Sequence, residues 1–241
     1  MRPGTLIVCA NHIGNILDVP SRTIEKIRQT KHIFCDHLDT FNRDIAIPYK
    51  IDMNEKIVFE FGIDKNDYEN ETVKAALSVL QKGEDIVFIS DNGLPGFADR
   101  GTRIVDVIHR KDIPVEIIPG PSIVSAAVAV AGIPSSSSDV LFVSFFESNE
   151  KEKREKLKLI KDLDASIVFL DFPENMEWLI NTIEEVIGRH RLAALCINVG
   201  IESQKIIKKE VFLFKNDFPN LKDNYVTLVL EGSVPRRIED L

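Results

Sequence analysis

The chain has 241 residues, of which 44% are hydrophobic and 28% charged, so it can bury one large core or two small ones and is not expected to be disordered as a whole. Its net charge of -8 argues against a protein that coats nucleic acid by charge alone, although it leaves room for a local basic patch or a folded RNA–protein particle as substrate. Cys9, Cys35 and Cys196 each lie in an apolar run, which predicts buried free thiols in a reducing compartment and no metal site.

No segment of the sequence has the length and apolar character of a membrane anchor. The longest apolar run near the N-terminus, Leu6–Ala10, is too short for the hydrophobic region of a signal peptide. Nowhere does the chain approach the roughly 20 consecutive apolar residues that a membrane helix needs. We therefore expect a cytoplasmic protein that does not associate with membranes.

The first half alternates short apolar runs with helical patterns. Asp18 or Ser21 is expected to cap the first helix, and Asn70 to cap a later one that Gly83 ends. The predicted strands are Thr5–Ala10, Ile33–Cys35, Asp85–Ser90 and Val115–Ile118, and a further helix covers Thr102–Lys111. Strands that alternate with helices at this spacing predict α/β units and a largely parallel sheet.

The sequence Pro119-Gly-Pro121 interrupts this alternation, and we place a domain boundary there, with domains at 1–118 and 119–241. The helix predicted over Ser122–Ala131 is apolar nearly all round, so we expect it to be buried on both sides at the junction of the domains. The remaining predicted strands are Leu141–Phe146, Ser166–Phe172 and Leu192–Val199, then Val211–Phe214 and Tyr225–Glu231 as an antiparallel pair. The predicted helices are Glu150–Lys161, whose many charges favour a solvated face, and Glu174–Ile187.

Three loops follow predicted strands, at the edge where parallel α/β sheets bind ligands. They are Asn11–Asn15, Asp91–Gly101 and Pro119–Ser122. The second matches neither the dinucleotide fingerprint nor a P-loop, and Asp91 and Asp99 would repel a polyphosphate but suit a ligand with amino and hydroxyl donors. Each loop also has a plain structural interpretation, as a turn, a connection or, for Ser122, a helix cap.

Taken together, four motifs resemble the tetrapyrrole-methylase superfamily, and within it the ribosomal RNA cytidine 2′-O-methyltransferase branch. The family patterns are T-P-I-G-N, S-D-A-G-T-P-x-x-x-D-P-G, P-G-P-S/C followed by A-G-L-P, and a last strand G-E-x-V-L-V-x-E-G. In the same order this chain has Asn11–Asn15 (NHIGN), Ser90–Gly101 (SDNGLPGFADRG), Pro119–Ser122 (PGPS) with Ala131–Pro134 (AGIP), and Tyr225–Gly232 (YVTLVLEG). The resemblance covers almost the whole chain.

The resemblance implies two α/β domains, with a mostly parallel sheet in the first and a mixed sheet in the second. It further implies a homodimer that binds S-adenosylmethionine in the cleft between the domains, with no metal. The positions that match the family's cofactor residues are Asn11, Ile13, Gly14, Asn15, Asp91, Gly93, Pro95, Asp99, Pro121, Ser122 and Ala126.

The chain departs from the branch where substrate and catalytic residues are expected. The branch's E-D-T-R becomes Asp36–Asp39, E-S-P-H-R becomes Asp171–Asn175, and A-R-E-L-T-K becomes Cys196–Ile201, so arginines are lost from an already acidic protein. His37 and Asp36 are the candidate catalytic residues, with Asp39 close by, because a histidine oriented by a carboxylate can accept a hydroxyl proton. A salt-bridged loop histidine is the alternative. His12, where the family has proline, is expected either to line the pocket or to point to solvent.

Three functions are compatible with these observations. The first is an S-adenosylmethionine-dependent methyltransferase that acts on ribosomal RNA ribose or on a small molecule. The second is a regulatory paralogue that binds S-adenosylmethionine or S-adenosylhomocysteine and has lost catalysis. The third is an unrelated α/β nucleotide-binding protein, which would need basic residues near Gly93–Gly101, where only Arg100 and Arg103 are available.

Overall fold

The computed structural model describes residues 2–61, 71–97, 101–133 and 137–233, and the chain forms two compact units that divide between Ser122 and Ile123. The predicted cap Asn70 and the predicted cofactor residue Asp99 lie outside the described residues. Among the helices described, none is both long and apolar enough to cross a membrane.

The first unit is built on a five-stranded sheet in which every pair of neighbouring strands is parallel, in the order β3-β2-β4-β1-β5. The strands are β1 Leu6–Cys9, β2 His32–Cys35, β3 Ile57–Glu60, β4 Ile86–Ile89 and β5 Val115–Ile118. The helices are α1 Ser21–Gln29, α2 Leu38–Phe41, which continues into a π-helical turn over Asn42–Ala46, α3 Glu71–Gln81 and α4 Thr102–His109. This confirms the parallel sheet that the alternating pattern predicted.

The three central strands are buried throughout, and apolar except for His32, because both faces of the sheet are covered. Leu6, Phe34 and Phe88 pack with residues of α3 and α4 on one face. On the other face, Ile7 and Val87 pack with residues of α1 and of the π-helical turn. The strand ends are thereby fixed, and the loops that follow them leave from a rigid edge.

The second unit contains a mixed five-stranded sheet in the order β6-β7-β10-β8-β9, as the resemblance predicted. Its strands are β6 Val140–Ser144, β7 Ser166–Leu170, β8 Leu192–Ile197, β9 Lys205–Glu210 and β10 Val226–Leu230; β6 and β7 are parallel and the other neighbours antiparallel. Helix α5, Ile123–Ala131, packs on one face, and α6, Glu150–Ile160, and α7, Met176–Val186, pack on the other.

Several predicted elements are wrong in detail. Val211–Asn216 is a 3-10 helix rather than a strand, and β10 lies in the middle of the sheet between β7 and β8 instead of pairing with that segment. The apolar β-branched and aromatic residues that suggested a strand at 211–214 instead bury Val211 and Phe214 in the core. The edge strands β3 and β9 were not predicted, and charged residues of the kind that protect sheet edges mask the pattern of β9.

Two helices also differ from expectation. Neither Asp18 nor Ser21 caps α1, which follows Pro20 without a side-chain cap. Helix α5 is not buried on both sides within the chain, because Ser125, Ala129 and Val130 are exposed while Ala127 and Ala131 face the sheet. A helix made of small and β-branched residues can therefore be apolar on its outer face without being covered.

Candidate active site

The first two predicted loops are joined by backbone hydrogen bonds at the carboxyl edge of the first sheet. The N–H of Asn11 donates to the carbonyl of Gly93 at 2.7 Å, and the N–H of Gly93 donates to the carbonyl of His12 at 2.8 Å. Strands β1 and β4 are neighbours in the sheet, so the loops that follow them leave side by side. The reciprocal pair of bonds fixes the spacing between them.

The side chain of Asn11 clamps the two loops together. Its Nδ2 donates to the carbonyls of Ser90 and Asp91, both at 2.9 Å, and its Oδ1 accepts from the N–H of His12 at 2.8 Å. Asn11 is only 3% exposed. An amide that is buried and engaged in this way shapes the site rather than presenting its own side chain to a ligand.

The third loop meets the first two around Gly93, which has a φ of +67°. A Cβ at Gly93 would lie 3.8 Å from the carbonyl oxygen of Pro121 and 4.0 Å from Cγ2 of Ile13, so residues of all three loops surround this position. At Gly120, a Cβ would lie 2.6 Å from the Cβ of Ala10, which only glycine avoids. This close approach holds the third loop against the end of β1.

A carboxylate–histidine cluster lies at the same edge, after β2 and β4. His37 Nδ1 is 2.7 Å from Asp91 Oδ2, and Asp36 Oδ2 accepts the backbone N–H of Asp91 at 2.9 Å. The carboxylate that orients His37 is therefore Asp91, which is 54 residues away, and not the adjacent Asp36 or Asp39. Asp36 instead fixes the backbone of Asp91.

The hydrogen bond from His37 to Asp91 raises the pKa of the imidazole, an effect that partial burial opposes. Because the carboxylate accepts, Nδ1 carries the hydrogen in the neutral ring, and Nε2 is left as the basic nitrogen. The His37 side chain is 49% exposed and the Asp91 side chain 25% exposed, so a substrate can reach the ring. The arrangement has the geometry of a base oriented by a carboxylate.

His12 is buried, so the expectation that it might point to solvent is wrong. Its Nδ1 accepts the N–H of Gly14 at 3.1 Å, and its Nε2 lies 3.6 Å from Asp44 Oδ2 with no hydrogen-bond partner. Burial lowers the pKa of His12 and so favours the neutral ring. The Asp44 carboxylate acts in the opposite direction, but its effect is smaller. His12 therefore stiffens the first loop from inside.

The other predicted cofactor residues fall into two groups. Asn15 uses its side-chain oxygen to accept the N–H of Leu17 at 3.0 Å, as the cap of a 3-10 turn. Pro95 is buried. The half-buried positions are Ile13, Gly14, Pro121 and Ser122 in the first unit and Ala126 on α5 in the second.

No sequence pattern indicated two carboxylates of this edge, Glu60 beside the His37 cluster and Asp44 beside His12. Glu60, at the end of the unpredicted strand β3, accepts the backbone N–H of Leu38, the residue after His37. Asp44 lies in the π-helical turn, and Arg43 contacts both of its oxygens at 2.7 Å. Both groups lie in elements whose patterns were too short or too polar to be recognised.

The edge of the first sheet fits a ligand such as S-adenosylmethionine, which has amino and hydroxyl donors. Gly93 lacks a side chain where the three loops meet, and this leaves space beside Ile13 and Pro121. The half-buried carboxylate of Asp91 is an acceptor at the same edge. Among the described residues, no group of three or more His, Cys, Asp or Glu side chains is placed to hold a metal ion.

Comparisons with known proteins agree with this geometry. The family model for tetrapyrrole (corrin/porphyrin) methylases matches residues 13–212. Ribosomal RNA small subunit methyltransferase I of Thermotoga maritima is 32% identical over 186 residues, which is 77% of this chain and 79% of the relative; that of Leptospira biflexa is 22% identical over 94% of this chain and 90% of the relative. Uroporphyrin-III C-methyltransferase of Thermus thermophilus, solved with S-adenosylhomocysteine, has a TM-score of 0.66 at 12% identity and covers 95% of this chain and 97% of its own.

The two-sheet α/β fold is that of a methylase, and the chain belongs to the tetrapyrrole (corrin/porphyrin) methylase family. Within the family it falls in the branch of ribosomal RNA small subunit methyltransferase I, as the four motifs predicted. It is an S-adenosylmethionine-dependent methyltransferase. The prediction of an unrelated nucleotide-binding protein is thereby set aside.

Proposed function

We propose that this methyltransferase modifies the 2′-hydroxyl of a cytidine ribose in small-subunit ribosomal RNA. The observation that carries the proposal is the His37–Asp91 pair, which places a carboxylate-oriented base at the edge that bears the cofactor loops. The relatives named as ribosomal RNA small subunit methyltransferase I support the class of acceptor. A small-molecule acceptor, the other substrate compatible with the sequence, is named only for structural neighbours such as uroporphyrin-III C-methyltransferase, which is 12% identical and shows the fold alone.

S-adenosylmethionine bound at this edge would supply an electrophilic methyl group on a sulfonium, for transfer to the ribose oxygen with S-adenosylhomocysteine as the leaving group. The residues of the chain have to align that oxygen and take its proton. His37 Nε2 accepts the proton, while Nδ1 stays hydrogen-bonded to Asp91, which stabilises the resulting imidazolium. The bound proton then leaves to solvent, because the ring is half exposed.

Asp36 acts through Asp91 and not on the substrate. Its Oδ2 accepts the backbone N–H of Asp91 and so fixes the position from which the Asp91 carboxylate reaches His37. This changes the role expected for Asp36, from a partner of His37 to a positioning residue for Asp91. His37 remains the proposed catalytic base.

The proposed cofactor site combines the backbone around Gly93 with Ile13, Gly14 and Pro121, and with the Asp91 carboxylate as acceptor. Ser122, Ala126 and the buried Pro95 also belong to the set implied by the family pattern, as does Asp99, which lies outside the described residues. Asn11 and Asn15 contribute by shaping the first loop. A cleft between the two domains, a homodimer and a cytoplasmic location complete the proposal, as the resemblance and the composition implied.

The direct test is methyl transfer from radiolabelled S-adenosylmethionine to small ribosomal subunits, followed by digestion of the RNA and identification of the labelled nucleoside. We expect 2′-O-methylcytidine. His37→Gln, which retains a polar side chain but cannot act as a base near neutral pH, should lower kcat by roughly 10²-fold or more. The control His190→Gln alters an exposed histidine paired with Glu210 and should leave kcat unchanged. Label on a base, or full activity in His37→Gln, would contradict the proposal.

The loss of the branch's arginines favours a second candidate, a regulatory paralogue that binds the cofactor without catalysis. Asp39 occupies the position of one arginine, and Asp171–Asn175 contains neither the His nor the Arg of the branch. Tight binding of S-adenosylmethionine without transfer to ribosomal subunits, free ribosomal RNA or small alcohols would support this alternative.

A further inference from the structure

Three exposed aromatic side chains lie at one edge of the second sheet. They are Phe146, Phe172 and Tyr225, which are 40%, 46% and 65% exposed, and we call them the aromatic ledge. The rings of Phe146 and Phe172 meet edge to face, with centroids 5.0 Å apart. Ser144 pairs with Leu170, and Leu170 pairs with Thr227. If the same pairing is continued for two residues past the ends of the strands, Phe146 lies beside Phe172, and Phe172 beside Tyr225.

The ledge lies on the face of the sheet that α5 covers. Helix α5 packs against Phe142, Val168 and Val229, one residue from each of the three strands. Each residue of the ledge lies four positions along the chain from one of these residues, and alternation along a strand places both on the same face of the sheet. The carbonyl oxygen of Ala127 in α5 lies 3.8 Å from Sγ of Cys196, a residue near the sheet edge that carries the ledge. The carbonyl oxygen of Gly132, just after the C-terminal end of α5, accepts from Lys208, which lies further from that edge. The N-terminal end of α5, with the proposed cofactor residue Ala126, is therefore directed to the edge that carries the ledge.

A buried ion pair holds Phe172 in place. Asp171 Oδ1 accepts the backbone N–H of Phe172 at 2.8 Å, and its Oδ2 is paired with Lys153 of α6. Lys153 is 4% exposed although its helix was expected to be solvated, and its Nζ lies 5.9 Å from the centre of the Trp178 ring. The exposed ring is thus attached to a backbone that the core fixes.

A buried amide holds Tyr225 in a similar way. Asn198 donates its N–H to the carbonyl of Tyr225 at 2.8 Å, and its Oδ1 accepts the N–H of Tyr225 at 2.9 Å. Its Nδ2 donates to Ser203 Oγ and Asn224 Oδ1. Asn198 has a φ of +51°, a conformation that is uncommon outside glycine and that structures retain where surrounding contacts impose it.

We propose that unpaired nucleobases of the RNA acceptor stack on the aromatic ledge. Proteins that bind single-stranded RNA place bases on exposed aromatic rings, and rings whose backbone is fixed in advance lose little freedom on binding. The inference rests on the proposed function, since it names where that acceptor is held. It also gives a chain with a net charge of -8 a way to hold RNA that does not depend on attraction to phosphate.

The charges near the ledge favour stacking over contacts with phosphate. Lys205 and Lys222 are exposed at this edge. Two exposed acidic residues offset their charge, Glu174 in the segment after β7 and Asp223 in the segment before β10. Such a balance gives little counterion release. Beyond the buried Asn198, the exposed Ser203 and the half-buried Asn224 place a hydroxyl and an amide at this edge, groups that suit the polar edges of bases.

The test measures binding of an unstructured, fluorescently labelled, cytidine-rich RNA oligonucleotide to the full chain by anisotropy, with S-adenosylhomocysteine present. Phe172→Leu and Tyr225→Leu keep an apolar side chain but remove the ring, and each should weaken binding on the order of tenfold. Tyr225→Phe retains the ring and should bind as wild type does. Phe212→Leu is the matched control, because it removes a ring near Arg189, at the opposite end of β8. The loss should persist at high salt.

Four results would overturn the inference. These are no binding of the oligonucleotide by wild type, equal binding by the leucine variants, a loss of S-adenosylhomocysteine affinity in those variants, and a change from dimer to monomer by light scattering. The last two would assign the ledge to the cofactor pocket or to a second copy of the chain. Failure of the proposed function is distinguishable, because wild type would then methylate no ribosomal RNA, whatever the ledge variants do.

Discussion

The edges of the two sheets use buried or half-buried polar side chains for different purposes. At the first sheet, Asn11 and Asp36 hold backbone loops together, and the space around Gly93 stays open. At the second sheet, Asp171 and Asn198 hold the backbone of exposed aromatic residues. The difference matches the ligands that we propose, since a small cofactor needs a shaped pocket and a nucleobase needs a flat, fixed surface.

The comparison also separates what the chain shares with its family from what it does not. The motifs of the first edge follow the family pattern closely, with Asn11–Asn15 and Ser90–Gly101 in order. The second edge carries Asp171–Asn175 and Cys196–Ile201, where the branch's charged residues are replaced. Cofactor binding and acceptor binding are therefore expected to respond to different substitutions.

The largest expected effect is on stability, at the second edge. Lys153→Met leaves the Asp171 carboxylate, whose side chain is 0% exposed, without its cation, and should lower the free energy of unfolding by about 3 kcal/mol or more. Arg154→Met removes an exposed partner of Glu185 on the same helix and should cost less than about 1 kcal/mol. Urea unfolding measures both. Equal small losses would mean that the Lys153–Asp171 pair does not fix this edge.

A smaller effect is expected at the first edge. Asn11→Ala removes the buried clamp between the loops and should cost about 2 kcal/mol of stability, because two carbonyls lose a buried donor. It should also weaken S-adenosylmethionine binding, since the spacing around Gly93 is no longer fixed. Asn15→Ala removes only the cap of a short turn, so it should lower the free energy of unfolding, measured with urea, by about 1 kcal/mol or less. Its loss of binding free energy for S-adenosylmethionine, measured by calorimetry, should be about 1 kcal/mol or less as well. Equal losses of stability and of S-adenosylmethionine affinity in Asn11→Ala and Asn15→Ala would contradict the role of Asn11 as the clamp between the loops.

Much of the first edge was predictable because its information is local. Strands β1 and β4 are continuous apolar runs, β2 is one apart from His32, and the loops after β4 and β5 carry glycines at the positions where backbones meet. The partners of polar groups were not predictable, because His37 and Asp91 are 54 residues apart and Lys153 and Asp171 are 18 apart. A charged pattern such as that of α6 does not show which lysine turns inward.

The same limit explains the errors in the second sheet. The apolar run at 211–214 reads as a strand, but a 3-10 helix buries Val211 and Phe214 equally well. Strand β9 was missed because its only apolar residues, Ile206 and Ile207, are adjacent and are flanked by lysines, so the sequence has no alternation of apolar with polar residues. The position of β10 in the middle of the sheet depends on pairing with strands far away in sequence, which local patterns do not encode.

The smallest expected effect is a pH dependence that compares two histidines of the first unit. Burial lowers the pKa of His12 below its usual 6.5, so the unfolded chain binds the proton more readily, and this contribution to stability is lost as the pH falls below about 6.5. The pKa of His37 is raised by Asp91, so its contribution has the opposite sign and is lost as the pH rises through that raised value.

Unfolding free energies measured between about pH 8 and about pH 5 test this difference in sign. His12→Gln should reduce the fall in stability on acidification, whereas His37→Gln should make that fall slightly steeper. Histidine titration by NMR gives the two pKa values directly. A pKa of His12 above that of His37 would contradict the assignment.

The central claim is that the edge of the first sheet binds S-adenosylmethionine, and isothermal titration calorimetry tests it most directly. Wild type should bind with micromolar affinity, about -8 kcal/mol, and Asp91→Ala should bind more weakly because it loses a half-buried acceptor. The control Asp106→Ala removes a carboxylate on α4 that pairs with Arg110, and it should bind S-adenosylmethionine as wild type does. No binding to wild type at millimolar ligand, or equal binding by Asp91→Ala, would contradict the account.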